Sequence, residues 1–322
     1  MKIEYLAKEG NHFKANLHCH STCSDGMLTP EQIKDLYRAN GYSIVAYTDH
    51  NKLVDHSDLN DADFLALIGT EYDLMDRDDR PGAYHPCYHI NFYPRASRQT
   101  AASLYDGPEA PGPRAYADAQ TVIDRFVSEG YLAQINHPTW SLQEAADYLS
   151  LRGYYAIELY NHYNIVTGYD EINTHLWDTL WRSGRQVWGT ATDDNHNRKP
   201  GTPFWESCGG FTVIQADELT QEAVTDALEK GKFYASSGPM FEEIVLEDDQ
   251  LRVVTSPVAK ITLMTSHRQA RAAYPAPGEQ SLTEAVFNLS AIYPGYVRLT
   301  LTDGSGKQAW SQPITGYRGK QE

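Results

Sequence analysis

Asn16-Leu17-His18-Cys19-His20-Ser21-Thr22-Cys23-Ser24-Asp25-Gly26 closes the first apolar segment of the chain, residues 13–17. That segment reads as an early strand, and side chains along a strand alternate between its two faces. His18 and His20 therefore point one way and Cys19 the other. Two imidazoles on one face at a strand end can hold one metal ion. Asp25, beyond the turn, can add a hard oxygen ligand.

Working outward, the end-of-strand pattern returns. Thr29-Pro30-Glu31-Gln32 opens a helix: Thr29 caps it, Pro30 suits the first helical position, and Gln32 completes a capping box. The helix carries Ile33, Leu36 and Tyr37 and stops at Gly41, a C′ glycine. Residues 42–47 predict a strand ending in Thr48-Asp49-His50-Asn51. Residues 64–68 predict one ending in Gly69-Thr70-Glu71, and residues 88–93 one that contains His89. Residues 94–117, rich in Pro, Gly and Ala, read as a long loop of the kind that serves as a lid. A helix over 118–130 leads to a strand over 131–135 ending in Asn136-His137-Pro138. A helix over 142–151 leads to a strand over 155–159 ending in Tyr160-Asn161-His162. A helix over 171–182 leads to a strand over 186–191 ending in Thr192-Asp193-Asp194-Asn195-His196. A strand over 211–215 and a helix from Thr220 to Gly231 follow.

Strand then helix, many times over, implies parallel strands with helical crossovers. His20, His50, Glu71, His137, Asp194 and His196 all fall at or just past strand ends, the face of such a barrel that carries chemistry. After residue 238 short apolar runs alternate with turn signals, and Asp248-Asp249 and Asp303-Gly304 suit hairpins. The expected fold class is α/β: a distorted (β/α)7-type barrel over residues 1–240, then a small antiparallel β-sandwich over 241–322 without a ligand cluster of its own.

Net charge is −16, with no basic stripe, which argues against non-specific nucleic-acid binding. Cys19, Cys23, Cys87 and Cys208 form no Cys-x-x-Cys, so neither a zinc finger nor a disulfide framework is expected. The N-terminus has no basic and apolar leader, and no apolar run approaches the ~18 residues of a membrane span. The expected location is the cytoplasm.

Four motifs, His18-Cys19-His20-Ser21 with Ser24-Asp25-Gly26, Thr48-Asp49-His50-Asn51, Asn136-His137-Pro138 and Asp194-Asn195-His196, together resemble the polymerase-and-histidinol-phosphatase (PHP) superfamily. The resemblance covers roughly residues 10–240. Gly231-Lys232-Phe233-Tyr234-Ala235-Ser236-Ser237-Gly238-Pro239, followed by a β domain, is similar to the CehA/McbA-like branch. The resemblance implies a PHP barrel and two or three divalent metal ions. One site would take His18, His20, Glu71 and Asp194. A second would take Glu71 as a bridge with His89 and His137. A third would take Asp25, His50 and His196. Mixed imidazole and carboxylate ligands suit zinc, manganese or iron. His85 competes with His89, which lies inside an apolar run, and Asp193 with Asp194, which the family spacing selects. Asp49 is expected to orient an imidazole. His162 is a candidate ligand, substrate contact or proton donor, and Arg198 and Lys199 are candidates to meet an anionic small-molecule substrate. The activity implied is metal-dependent hydrolysis by a metal-bridging hydroxide, first of a small phosphomonoester or phosphodiester. A carbamate, amide or aryl-ester hydrolase is the alternative, and a non-catalytic metal-binding module is the reading from another class. No Gly-x-Ser-x-Gly elbow or P-loop is present.

Overall fold

The Thr29 cap forms as its residue types require: Gln32 N–H donates to the Thr29 hydroxyl at 3.3 Å, and Thr29 N–H donates to the Gln32 side chain at 2.9 Å. Gly41 follows the helix at φ +76°, the left-handed position that glycine adopts without strain. These details come from a computed structural model that describes residues 2–76, 85–95 and 115–320. Residues 96–114 of the loop expected over 94–117 lie outside the described residues.

In chain order the described strands are β1 (Lys2–Leu6), β2 (His12–Asn16), β3 (Ile44–Tyr47), β4 (Leu65–Ile68), β5 (Thr70–Met75), β6 (Cys87–Pro94), β7 (Tyr131–Ile135), β8 (Ala156–Asn161), β9 (Trp188–Thr192), β10 (Phe211–Gln215), β11 (Phe233–Ser236), β12 (Phe241–Glu247), β13 (Gln250–Val258), β14 (Lys260–Thr265), β15 (Ala270–Ala273), β16 (Leu282–Asn288), β17 (Val297–Thr302) and β18 (Gln308–Ser311). The described helices are α1 (Pro30–Ala39), α2 (Ala119–Ser128), α3 (Ala145–Ser150), α4 (His162–Thr167), α5 (Thr174–Arg182) and α6 (Gln221–Glu229). No helix among the described residues is long and apolar enough to cross a membrane.

Three sheets result, with strand orders β1-β12-β13-β16, β15-β14-β17-β18-β11-β10-β2-β3-β4 and β5-β6-β7-β8-β9. The fold is mixed α/β, with 19% helix and 36% strand among the described residues. It departs from the expected barrel in two ways. Among the described strands parallel pairing is confined to β2-β3-β4 and β7-β8-β9, with isolated parallel bridges at Cys19–Asn195 and His50–Glu71, whereas β5-β6-β7 is an antiparallel meander. Nor do the sheets close into a barrel among the described residues. Both edges of β10 are taken, by β2 and β11. Its neighbour β9 is held instead through the Thr212 hydroxyl, which accepts from Ala191 N–H at 3.2 Å and donates to Ala191 O at 3.0 Å. On the other side, β4 passes into β5 at Gly69, where a Cβ would come within 3.0 Å of Tyr93 and 3.1 Å of Thr48.

The C-terminal strands form a sandwich whose two layers are the four-stranded sheet and the β14-β17-β18 end of the large one. Leu246, Leu251, Val253, Ile261, Leu263, Leu299 and Leu301 fill its core. The β12–β13 turn has positive φ at both Asp248 and Asp249, as a two-residue hairpin turn requires. The ladders cross residue 240 in two places: β1, from the start of the chain, pairs with β12, and β11 pairs with β18.

Candidate metal centre

The motifs meet because backbone hydrogen bonds continue past the strand ends. Asp194 N–H donates to His18 O at 2.9 Å and His20 N–H to Asn195 O at 3.0 Å. Thr48 N–H donates to Cys19 O at 2.8 Å and Glu71 N–H to Thr48 O at 3.2 Å. The segments holding His18 and His20, His50, Glu71, and Asp194 and His196 are thereby sewn side by side. The β5–β6 register then sets His89 opposite Asp73, and Glu71 opposite Asn91. Gly26 lets the Ser21–Gly26 turn fold onto His20, since a Cβ there would lie 2.3 Å from His20 O.

Glu71 is the hub. It is buried, and five imidazoles reach its carboxylate: His18 at 3.2 Å, His20 at 3.3 Å, His50 at 3.1 Å, His89 at 3.2 Å and His137 at 3.3 Å. Asn136 donates to the same carboxylate at 2.9 Å. A carboxylate has about four lone-pair sites, so six partners exceed what hydrogen bonding alone can satisfy. His18 Nε2 and His20 Nε2 lie 3.2 Å from each other, and 3.3 and 3.2 Å from Asp194 Oδ1. Donors about 2.0–2.1 Å from a shared cation stand about 2.8–3.4 Å apart between octahedral and tetrahedral geometry, so these spacings match the edges of a coordination shell. His20 Nδ1 is buried without a hydrogen-bond partner. The residues present therefore fit a metal centre.

Three groups of donors converge. His18, His20 and Asp194 form one with Glu71 beside them. His50, Glu71, Asp73 and His89 form a second, with His137 on Glu71. His20, Asp25, His50 and His196 form a third, in which His196 Nε2 lies 3.3 Å from Asp25 Oδ2. All nine candidate ligands read from the sequence are thus brought together. Asp73 joins them without having been expected; His50 Nδ1 lies 3.0 Å from it. Its signal is present in the sequence, since Glu71 and Asp73 are two apart on one strand and share a face as His18 and His20 do.

The imidazoles are aimed by a further set of groups that motif spacing does not reveal. His18 Nδ1 pairs with buried Glu158 at 2.8 Å, leaving Nε2 to face the centre. Glu158 also accepts from Thr192 Oγ1 at 2.7 Å and His137 N–H at 2.9 Å. His137 Nδ1 pairs with Ser141 Oγ, and His196 Nδ1 with the Asp194 carbonyl, both at 3.0 Å. Such partners typically contribute about 10–100-fold to metal affinity. Glu158→Gln is expected to weaken metal binding by about that factor, read by competition with a chromophoric chelator. Unchanged affinity would mean that Glu158 does not orient His18. His137 and Asp194 also have positive φ, +27° and +53°, strain that clusters at functional positions.

Charge is tightly coupled here. Burial opposes protonation of His18, but Asp194, Glu71 and Glu158 overcome it and hold its pKa well above the usual value. Burial is likewise outweighed at His20, where Asp194 and Glu71 push the pKa up to about 9. Conversely, burial would raise the carboxyls of Glu71 and Asp194, yet the surrounding histidines, His18 foremost, keep both well below their ordinary range. In the metal-free chain the imidazoliums stand where cations belong, so metal uptake must release protons. The raised His20 pKa adds stability that is complete below about pH 6.5 and is lost as pH rises through about 9. The melting temperature of chelator-treated protein is therefore expected to fall across that window, and metal-loaded protein is not expected to follow it. Identical profiles with and without metal would contradict this.

The remaining candidates read from the sequence have different places. Asp193 accepts from Tyr37 Oη and from the N–H groups of Cys208, Gly209 and Gly210, so it holds the backbone and Asp194 faces the centre. Asp49 departs from expectation: its hydrogen bonds come from Ser21 and Ser24, so it braces a loop. His162 opens α4, pairs with Tyr160 Oη at 2.9 Å and packs on Gly209. Tyr163 and Asn164, beside it, line the cavity instead. Arg198 pairs with Asp25 at 2.6 Å on the rim.

The cavity is about 170 Å³ and is lined by ligands together with Trp140, Tyr163, Asn164 and Arg198. A groove of about 580 Å³ between Arg95 and α6 is larger, but among the described residues no cluster of metal-ligating groups falls on its walls. The donor groups gather at the smaller space.

No family model and no curated protein matches the chain. Solved structures do resemble it. A two-domain protein from Bacteroides vulgatus, described as containing a predicted PHP-like metal-dependent phosphoesterase, aligns with TM-score 0.47 and 16% identity over 94% of this chain and 95% of its own. A protein from Bifidobacterium adolescentis, described as a "putative metal-dependent phosphoesterase", aligns with TM-score 0.41 and 16% identity over 66% and 95%. An amidohydrolase from Chromobacterium violaceum with bound sulfate and no metal aligns with TM-score 0.41 and 17% identity over 58% and 88%. These likenesses are loose, and the metal reading rests on the chain's own geometry.

Proposed function

We propose that the chain is a metal-dependent hydrolase of the PHP type, and within that class a phosphoesterase for a small anionic ester. The observation that carries this reading is the single buried carboxylate of Glu71 shared by five imidazoles. Two or three divalent ions of zinc, manganese or iron suit the mixed nitrogen and oxygen donors. Bound there, such ions lower the pKa of water toward about 7 and neutralise charge on the group attacked.

The chain's own residues do the rest. Glu158, Ser141 and the Asp194 carbonyl fix which ring nitrogen of His18, His137 and His196 faces inward. Trp140 packs against His89 and His137, and Tyr163 against His196, so aromatic walls limit water around the donors. Arg198 is the permanent cation among the described residues lining the cavity, and it supports an anionic substrate. Asn164 is buried with neither amide atom hydrogen-bonded, which supports a polar substrate group beside it. A cavity of about 170 Å³ suits a head group, not a large ligand. The aromatic walls favour, as the second reading, an aryl ester or carbamate; the CehA/McbA-like resemblance of residues 231–239 belongs to that alternative. Four unpaired cysteines fit the reducing cytoplasm.

The test is metal analysis of purified protein with hydrolysis of p-nitrophenyl phosphate, bis-p-nitrophenyl phosphate and naphthyl carbamates, with manganese or zinc added. Metal-dependent cleavage of a phosphate ester supports the first reading, and cleavage of carbamates alone selects the second. Bound metal without turnover on any of them selects a non-catalytic module.

A further inference from the structure

A second cluster of metal-ligating groups lies outside the centre. Cys23, Asp49 and His56 come from three separate segments: the Ser21–Gly26 turn, the end of β3, and the loop before β4. Their Sγ, carboxylate oxygen and ring nitrogen all lie within 4.8 Å of one another. His56 Nε2 is buried with no hydrogen-bond partner. Burial, the leading influence, lowers the pKa of His56, which leaves the ring in the neutral form that binds metals. Asp49 Oδ1 accepts from Ser21 N–H, Ser24 N–H and Ser24 Oγ, but among the described residues Oδ2 accepts only from Ser21 Oγ at 2.7 Å. One lone pair of Oδ2 therefore stays open.

We propose that Cys23, Asp49 and His56 form a separate site for one soft divalent cation such as zinc. A thiolate, an imidazole and a carboxylate are three protein ligands of the kind zinc takes, with a fourth position for water. The site would have a positioning role. Cys23 and Asp25 share one short turn, and Asp49 adjoins His50, so a cation there would fix the turn that delivers Asp25 to the centre and the strand end that delivers His50. Asp49 already braces that turn through four hydrogen bonds; the cation would add a bond from the turn to the 51–60 loop.

This inference does not depend on the hydrolase reading, because the ligands of the main centre include no thiol. Full-length protein is stripped with chelator and titrated with cobalt(II), and the sulfur-to-cobalt charge-transfer band in the near ultraviolet is followed. The wild-type band is expected to saturate with a single cobalt per chain assigned to it. It is expected to vanish in Cys23→Ser, to weaken at least about tenfold in cobalt affinity in His56→Gln, and to persist in Cys19→Ser, Cys87→Ser and Cys208→Ser. Zinc content of Cys23→Ser should fall one ion below wild type. A missing wild-type band, a band that survives Cys23→Ser, or one that never saturates, meaning an adventitious ion only, would each overturn the proposal. If His56→Gln fails to fold, Cys23→Ser with the three other cysteine variants decides alone. Cobalt that binds without the band refutes this site and leaves the main centre standing; the band with no other bound metal does the reverse.

Discussion

Glu71→Gln is expected to leave the purified chain largely free of metal and to cut metal-dependent hydrolysis by more than about 10³-fold. That exceeds the 10–100-fold typical of a residue that only orients a ligand. The amide matches the carboxylate in size, so packing is little disturbed. What changes is charge and bonding capacity. Glutamine lacks the anionic oxygens with which Glu71 would hold a metal ion, and its NH₂ would face imidazole nitrogens that lie 3.1–3.3 Å away. The histidines would also lose one of the charges that oppose burial: the leading one at His89, and at His18 the one that ranks after Asp194. Metal content by mass spectrometry, turnover on the substrate panel and circular dichroism together give the answer. A folded Glu71→Gln protein with full metal and wild-type turnover would remove Glu71 as the hub of the metal centre.

Arg298→Ala is expected to destabilise the fold by about 3–5 kcal/mol, the range for stranding one member of a buried ion pair. Arg298 on β17 grips Asp178 on α5 through two bonds, Nε to Oδ1 at 2.9 Å and Nη2 to Oδ2 at 2.7 Å. Both residues are buried, and Tyr296 Oη adds a bond to Asp178 at 3.0 Å. The pair joins the helix that precedes β9 to the C-terminal sandwich, so its loss would loosen the support beneath Asp194. Urea unfolding is the measurement. The double variant Asp178→Leu/Arg298→Met should recover most of the loss, because an apolar pair of similar volume avoids the stranded charge. A cost under about 1 kcal/mol for Arg298→Ala would show that the pair behaves as a solvated surface bridge.

Much of the local structure is legible in the chain. The Thr29 box, the glycine after α1, and the bounds of β7 and β10 follow from caps and apolar runs, which are properties of neighbouring residues. The less legible elements depend on distant partners. β1 has a clear alternation of exposure, yet nothing near it announces that β12 is its neighbour. β4 and β5 read as one strand with a polar end, and the bend at Gly69 turns Glu71 into a residue inside a hairpin. The alternation of helix and strand suggests parallel pairing throughout, but direction is set by how each strand docks, which periodicity does not encode.

Residue order alone is enough to say which chemistry is possible: imidazole and carboxylate pairs at His18 and His20, at Glu71, and at Asp194 and His196, placed by the period-two geometry of strand ends. How those groups are held depends on the folded chain. Folding sets Glu158 behind His18 across 140 residues of chain, adds Asp73 to the donors, turns Asp49 away to brace a loop, and moves the cavity wall from His162 to Tyr163 and Asn164. The reason is physical: ligand types and their spacing are written in short covalent stretches, whereas the aim of an imidazole depends on a partner that only the packing of the whole chain brings within hydrogen-bond reach.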